Sequence, residues 1–188
     1  MKKVGLLGGT FDPIHNGHLN LAFEMLEKKG LDEIWFCPTW KNPHKLVGQA
    51  SSAWDRLEMV RLAIEEIPQF KVIDYEVRRE GPSYTVDTLK EVHAEYPEIQ
   101  LFLILGEDAV NDFFKWKDPQ EILTLCDLLV GSRTTSHKSS SDLKQECVLT
   151  RLLDISATDI RSRVNKSLYI SHLVPRKVVD FISSNRLY

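Results

Sequence analysis

Gly8-Gly9-Thr10-Phe11-Asp12-Pro13-Ile14-His15-Asn16-Gly17-His18-Leu19 sets a glycine turn and two histidines between an apolar run and a helical pattern. A turn that feeds a helix start aims backbone N–H groups and the positive end of a dipole at one spot, which suits phosphate. His15 and His18, three apart, stand near that spot and can donate hydrogen bonds to oxygen. Two cations elsewhere fit the same chemistry. Lys45, in Pro43-His44-Lys45, suits a flexible clamp on a polyphosphate, and Arg161 offers a planar fork for paired oxygens. Transfer at a nucleotide phosphorus builds negative charge on oxygens, and such donors stabilise it. Taken singly, Lys45 and Arg161 read as solvated surface charges, and the paired glycines as a tight structural turn. The histidine spacing also permits metal ligation, but no cysteine pair or second histidine cluster supplies a third ligand. Two other phosphate loops are excluded. No lysine follows the glycines as the Walker pattern requires, and Gly5, Gly8 and Gly9 lack the dinucleotide spacing.

These residues need elements to hold them. Val4, Leu6 and Leu7 read as a buried strand, and Leu19, Ala22, Phe23 and Leu26 fall on one helical face. Further β-rich runs lie at 34–37, 70–73, 100–105 and 127–130. Helical patterns lie at 53–67, with Leu57, Val60 and Ile64 sharing a face, and at 84–96, with Val86, Leu89 and His93 aligned. Strands alternating with helices predict an α/β fold, a Rossmann-like doubly wound parallel sheet whose ligands bind at the carboxyl ends of strands. Gly8-Gly9 and Gly106-Glu107-Asp108 both fall at such ends. Ser156 reads as an N-cap, with Asp159 three residues on, for a helix to about Asn165, and Pro175 opens a last helix bearing Val178, Phe181 and Ile182. Residues 134–141 read as a polar loop. The expectation is one domain over 1–188, an α/β core at 1–150 with a small C-terminal helical extension at 151–188.

Composition narrows the partners. The 188 residues are 43% hydrophobic and 27% charged, ordinary for a globular protein, and the net charge of −3 provides no broad basic surface for nucleic acid. Cys37, Cys126 and Cys147 are odd in number and widely spaced, as expected of reduced thiols in a reducing compartment. No apolar stretch approaches the length of a membrane span, so no membrane partner and a cytoplasmic location are expected. Oligomeric state is left open, a homo-oligomer included.

The amino-terminal string resembles the signature of nucleotidyltransferases with a His-x-Gly-His or Thr-x-Gly-His motif, here His15-Asn16-Gly17-His18. Further segments are similar to those of the nicotinate-nucleotide adenylyltransferases, in family order along nearly the whole chain. They are Pro43-His44-Lys45, Gly81-Pro82-Ser83-Tyr84-Thr85-Val86-Asp87-Thr88-Leu89, Gly106-Glu107-Asp108 running to Phe113 and Trp116, and Ile155-Ser156-Ala157-Thr158-Asp159-Ile160-Arg161 with Leu173-Val174-Pro175 beyond. The resemblance implies AMP transfer from ATP to nicotinate mononucleotide, giving deamido-NAD and pyrophosphate, with Mg²⁺ held mainly by the ATP phosphates. It assigns His15, His18, Lys45 and Arg161 to catalysis. It assigns Gly8, Gly9, Thr10, Phe11, Gly17, Gly106, Asp108, Ser156 and Thr158 to ATP, and Thr85, Trp116 and His44 to the mononucleotide. Three positions depart from the family pattern: Asn42, Ala157 and Lys117, the last suggesting a contact with the substrate carboxylate. Transfer to nicotinamide mononucleotide or phosphopantetheine, and a non-catalytic ATP sensor, are the alternatives.

Overall fold

The computed structural model describes residues 1–41, 43, 51–132, 145–151 and 153–188, the side chains of Asp108 and Gln145 excepted. In chain order the elements are β1 (Lys2–Gly9), α1 (Asn16–Lys29), β2 (Glu33–Pro38), α2 (Ala53–Ile64), β3 (Phe70–Val72), α3 (Tyr75–Arg79), α4 (Thr85–Glu95), β4 (Ile99–Gly106), α5 (Glu107–Asn111), α6 (Pro119–Leu125), β5 (Asp127–Ser132), β6 (Gln145–Leu149), α7 (Ala157–Asn165) and α8 (Arg176–Ser184). A 3₁₀ turn at Phe113–Lys115 joins α5 to α6. The six strands form one parallel sheet in the order β3-β2-β1-β4-β5-β6. This doubly wound order reverses direction between β1 and β4, the crevice where such sheets bind ligands.

Alternation along the central strands divides the core in two. Val4 and Leu6 of β1 and Leu101, Leu103 and Leu105 of β4 face α4 and α6, where Val86, Leu89, Val92 and Ile122 cover them. Leu7, Phe36, Ile104 and Leu129 face the other way, under Met25 of α1 and Met59, Val60 and Ile64 of α2. Ile160 of α7 and Val178 and Ile182 of α8 join this second cluster, so the helical tail closes the same face that α1 and α2 cover. Gly5 makes the packing close: a Cβ there would lie 2.7 Å from Ile104 Cδ1 and 2.9 Å from the Cδ1 atoms of Ile34 and Leu31.

Several elements differ from the sequence expectation. β6 is an edge strand in which, among the described side chains, only Val148 is buried, and its apolar run of Cys147-Val148-Leu149 is too short to announce it. α3, α5 and α6 are each seven residues or shorter, below the length at which a helical period shows. On α4 the buried residues are Val86, Thr88, Leu89 and Val92, while half-buried His93 places Nε2 2.5 Å from the Leu125 carbonyl oxygen. On α1 the buried residues are Ala22, Glu24 and Met25, and Phe23 stands out to pack on Phe70. Cys37 and Cys126 are buried, Cys147 is exposed, and all three are free thiols. Among the described residues no helix is long and apolar enough to cross a membrane. The expected loop at 134–141 lies outside the described residues.

Candidate active site

A cavity of about 340 Å³ opens at the carboxyl ends of β1, β2 and β4. Gly8, Gly9, Thr39 and Gly106 form its floor, His18 one wall, and Ser83, Tyr84, Thr85, Trp116 and Lys117 the opposite wall. A Cβ built on Gly8 or Gly106 would meet no atom within 4 Å. Glycine at these two strand ends therefore keeps space open for a ligand and lets it approach the backbone. At Gly9 the reason is internal, because a Cβ there would press on the Phe11 ring at 2.8 Å.

His15 is the N-cap of α1, with extended backbone at φ −146° and ψ 170°. Its N–H donates to Nδ1 of His18 at 3.2 Å. A ring nitrogen that accepts carries no proton, so His18 holds its hydrogen on Nε2. The His18 ring stacks on His15 with centroids 3.7 Å apart and meets Phe11 edge-on at 5.0 Å, so its plane is fixed from two sides. His18 lines the cavity, whereas His15 lies behind it, 6% exposed, its imidazole lowered by burial to about 4 and therefore neutral near pH 7. Gly17 is what lets His15 lie there, since a Cβ would come within 3.0 Å of His15 Nδ1. Phe11 is also a core residue, 2% exposed with φ at 51°, wedged against Phe36. Its side chain is committed to packing, which leaves its backbone as the part able to face a nucleotide. Thr10 offers its carbonyl oxygen to Arg56 Nη1 at 2.6 Å.

The carboxyl-terminal helices reach this turn by hydrogen bonds. Ser156 caps α7 by accepting from the Asp159 N–H at 3.1 Å, and Thr158 Oγ1 accepts from Arg161 Nη2 at 3.2 Å. Arg161 Nη1 donates to the Asp12 carbonyl oxygen at 2.7 Å, which brings the guanidinium against the signature turn from 149 residues away. The start of α1 is held similarly, the Asn16 N–H donating to the Leu173 carbonyl oxygen at 2.9 Å. Ala157, the first residue of α7, adds no hydroxyl to this cluster.

Across the cavity, Thr85 begins α4 and Trp116 follows the 3₁₀ turn, packed on Phe113 with ring centroids 5.7 Å apart. Lys117 beside it spans both carboxylate oxygens of Asp87, at 3.0 and 3.1 Å, and lies 4.8 Å from the centre of the Tyr84 ring. Its charge is thus balanced by a carboxylate on the same wall. Glu76 of α3 also lines the cavity, and burial pushes its carboxyl above the ordinary range against hydrogen bonds from Thr88 and Ser83. Thr88 Oγ1 donates to it at 2.7 Å and itself accepts from Arg79 at 3.0 Å; Ser83 Oγ accepts the Trp40 N–H at 2.9 Å. This knot joins the exit of β2 to the start of α4.

Of the residues expected at the site, the fold brings Gly8, Gly9, His18, Gly106, Thr85 and Trp116 to one cavity, with His15, Gly17, Thr10 and Phe11 supporting its turn and Arg161, Ser156 and Thr158 beside that turn. His44, Lys45 and Asn42 lie outside the described residues, as does the side chain of Asp108. Among the described residues no group of three or more His, Cys, Asp or Glu side chains is placed to hold a metal ion. Sequence reasoning missed Glu76, Arg56, Ser51 and Tyr188. Arg56 carried a readable signal, because helical spacing puts it on the stripe of Ala53, Leu57 and Val60, where a charge demands a partner.

A cytidylyltransferase-like family model matches residues 6–163. The nicotinate-nucleotide adenylyltransferase of Bacillus subtilis is 39% identical, the match covering 100% of this chain and 99% of that protein. The probable nicotinate-nucleotide adenylyltransferase of Clostridium acetobutylicum is 38% identical, with both chains covered in full at 100%. Among solved structures, the Plasmodium falciparum nicotinic acid mononucleotide adenylyltransferase complexed with NaAD superimposes with a TM-score of 0.82, covering 100% of this chain and 98% of that one at 20% identity. This last match speaks for the fold.

Proposed function

The chain belongs to the cytidylyltransferase-like family and, within it, to the nicotinate-nucleotide adenylyltransferases, and we propose how its residues move AMP from ATP to nicotinate mononucleotide, giving deamido-NAD and pyrophosphate in NAD biosynthesis. ATP lies with its phosphates between the Gly8-Gly9 turn and the start of α7, and the mononucleotide lies under Trp116 and Thr85. A phosphate oxygen of the mononucleotide attacks the α-phosphorus in line. One P–O bond forms there, and the bond to the bridging oxygen breaks, its electron pair leaving with pyrophosphate. The second pKa of a phosphate monoester is about 6, so the nucleophile is already dianionic near neutrality and no proton need be removed. Catalysis is then positioning plus charge stabilisation.

His18 donates from Nε2 to an α-phosphate oxygen, and Arg161 pairs with phosphate oxygens on the leaving side. The observation that carries this reading is the hydrogen bond from the His15 N–H to His18 Nδ1, which makes the cavity-facing histidine a donor rather than a base. Mg²⁺ brought in with ATP would offset the charge of the phosphates. Trp116 presents an aromatic face to the pyridine ring. Free thiols at Cys37, Cys126 and Cys147 fit a reducing compartment, and we place the reaction in the cytoplasm. Pyrophosphate release is the test, measured with ATP against nicotinate mononucleotide, nicotinamide mononucleotide and phosphopantetheine. Turnover highest with nicotinate mononucleotide is expected; none with any acceptor would overturn the reading.

A further inference from the structure

A buried acid sits inside the phosphate-binding turn. Asp12 is 5% exposed, and its carboxylate accepts the Tyr188 hydroxyl at 2.7 Å and the Ser51 hydroxyl, while Ser51 Oγ and Tyr188 Oη lie 2.8 Å apart. Burial and the neighbouring Asp12 charge push the Tyr188 phenol well above the ordinary tyrosine range, so it remains a donor. Arg56, 0% exposed, donates to the carbonyl oxygens of Thr10 at 2.6 Å and Trp40 at 3.1 Å, and its charge acts on Asp12. The Asp12 carbonyl accepts Arg161 Nη1 at 2.7 Å. One residue therefore joins the signature turn, the start of α2, Tyr188 and α7.

A carboxylate so close to a phosphate site would repel the ligand and pay a desolvation penalty unless it were neutralised and held. Here Arg56 supplies the opposing charge, and two hydroxyls fix the side chain. With the carboxylate fixed on one side and the Thr10 carbonyl fixed by Arg56 on the other, the Asp12 carbonyl has one direction. Arg161 hangs from it.

We propose that Asp12, locked by Tyr188 and Ser51, is a positioning residue that aims Arg161 at the ATP phosphates. Tyr188 and Ser51 act through Asp12 and touch no substrate. The inference rests on the adenylyl-transfer reading above, and two measurements keep their failures apart: the dissociation constant for α,β-methylene-ATP, and turnover with ATP and nicotinate mononucleotide. Tyr188→Phe and Ser51→Ala each remove a single hydroxyl. Each is expected to weaken the ATP analogue about tenfold and to lower kcat by a similar factor, with KM for nicotinate mononucleotide unchanged. Ile122→Val, a buried truncation on the opposite face of the sheet, serves as a control for a comparable loss of melting temperature and should alter none of these values. Analogue affinity and kcat within twofold of wild type in both hydroxyl variants, or an equal loss in Ile122→Val, would overturn the positioning role. A wild-type protein that binds the analogue but releases no pyrophosphate would overturn the reaction instead, while weakened analogue binding in Tyr188→Phe would still support the positioning role. Should Tyr188→Phe fail to fold, Ser51→Ala alone decides.

Discussion

In the proposed mechanism His18 is a donor because of what its other nitrogen does. The His15 N–H occupies Nδ1, so the proton sits on Nε2, and the stack on His15 with the edge contact to Phe11 keeps the ring from turning. His18→Ala is expected to lower kcat by roughly 10²–10³, the usual loss for one transition-state hydrogen-bond donor, with KM for nicotinate mononucleotide little changed. Steady-state kinetics check this, and an unchanged kcat removes His18 from the transition state. His15 makes a different prediction. Its folded value near 4 lies below the ordinary 6.5, so the unfolded chain binds more protons between these values. Stability from this group is complete above about pH 6.5 and falls as pH drops toward 4, by on the order of 3 kcal/mol over the window. Urea unfolding at pH 7 and pH 4.5 should show a smaller difference for His15→Gln than for wild type; equal differences would contradict the assignment. At Lys117 the pairing with Asp87 changes the expectation set by its charge alone. Lys117→Ala should leave the preference for nicotinate over nicotinamide mononucleotide within about threefold, and Asp87→Asn, which unbalances the lysine, should raise it. A collapse of preference in Lys117→Ala would return the lysine to direct recognition. Spacing made both histidines legible in the sequence. Glu76 was hidden, because a carboxylate flanked by Tyr75 and Val77 in a five-residue helix has no pattern to set it apart.

The signature turn is held by elements as much as by its own residues. β1 delivers Gly8 and Gly9 to the switch point, α1 starts at the capping histidine, and α7 swings Arg161 back to the Asp12 carbonyl. Ser156→Ala removes the α7 cap and should cost about 1 kcal/mol, read as a lower urea midpoint; no change would mean that the Asp159 N–H finds water instead. Gly5→Ala forces a methyl against Ile104, Ile34 and Leu31 and should cost about 1–3 kcal/mol. The longer segments were legible: α2, α4, α8 and five strands fall where apolar spacing puts them, and α7 where the Ser156 cap does. β6 and the short helices were not, because β6 owes its order to pairing with β5 and α5 and α6 owe theirs to packing beside the 3₁₀ turn, not to a local period. On α1 the expected face holds at Ala22, which is buried, and at Leu19 and Leu26, which pack on the core, but Glu24 is buried as well. Glu24 is buried there because Lys28 and Arg151 pair with it, so charge pairing overrides apolar spacing.

At the scale of the whole molecule, the parallel sheet turns distant stretches into neighbours. Reversal of the winding order between the parallel strands β1 and β4 opens one crevice, and the helical tail packs on the same face as α1 and α2, so that residues near 10, 50, 160 and 188 meet around Asp12. The order of motifs along the chain announced the family, yet the contacts that fix the turn are separated by up to 176 residues and obey no spacing rule. Those from Arg161 and Tyr188 require the tail to be packed in place. A crystal structure with Mg²⁺ and α,β-methylene-ATP tests the central claim most directly. The account predicts the triphosphate over the Gly8-Gly9 turn, with His18 Nε2 and the Arg161 guanidinium about 2.7–3.2 Å from phosphate oxygens. A nucleotide bound elsewhere, or in that crevice with both side chains beyond hydrogen-bond reach, would contradict it.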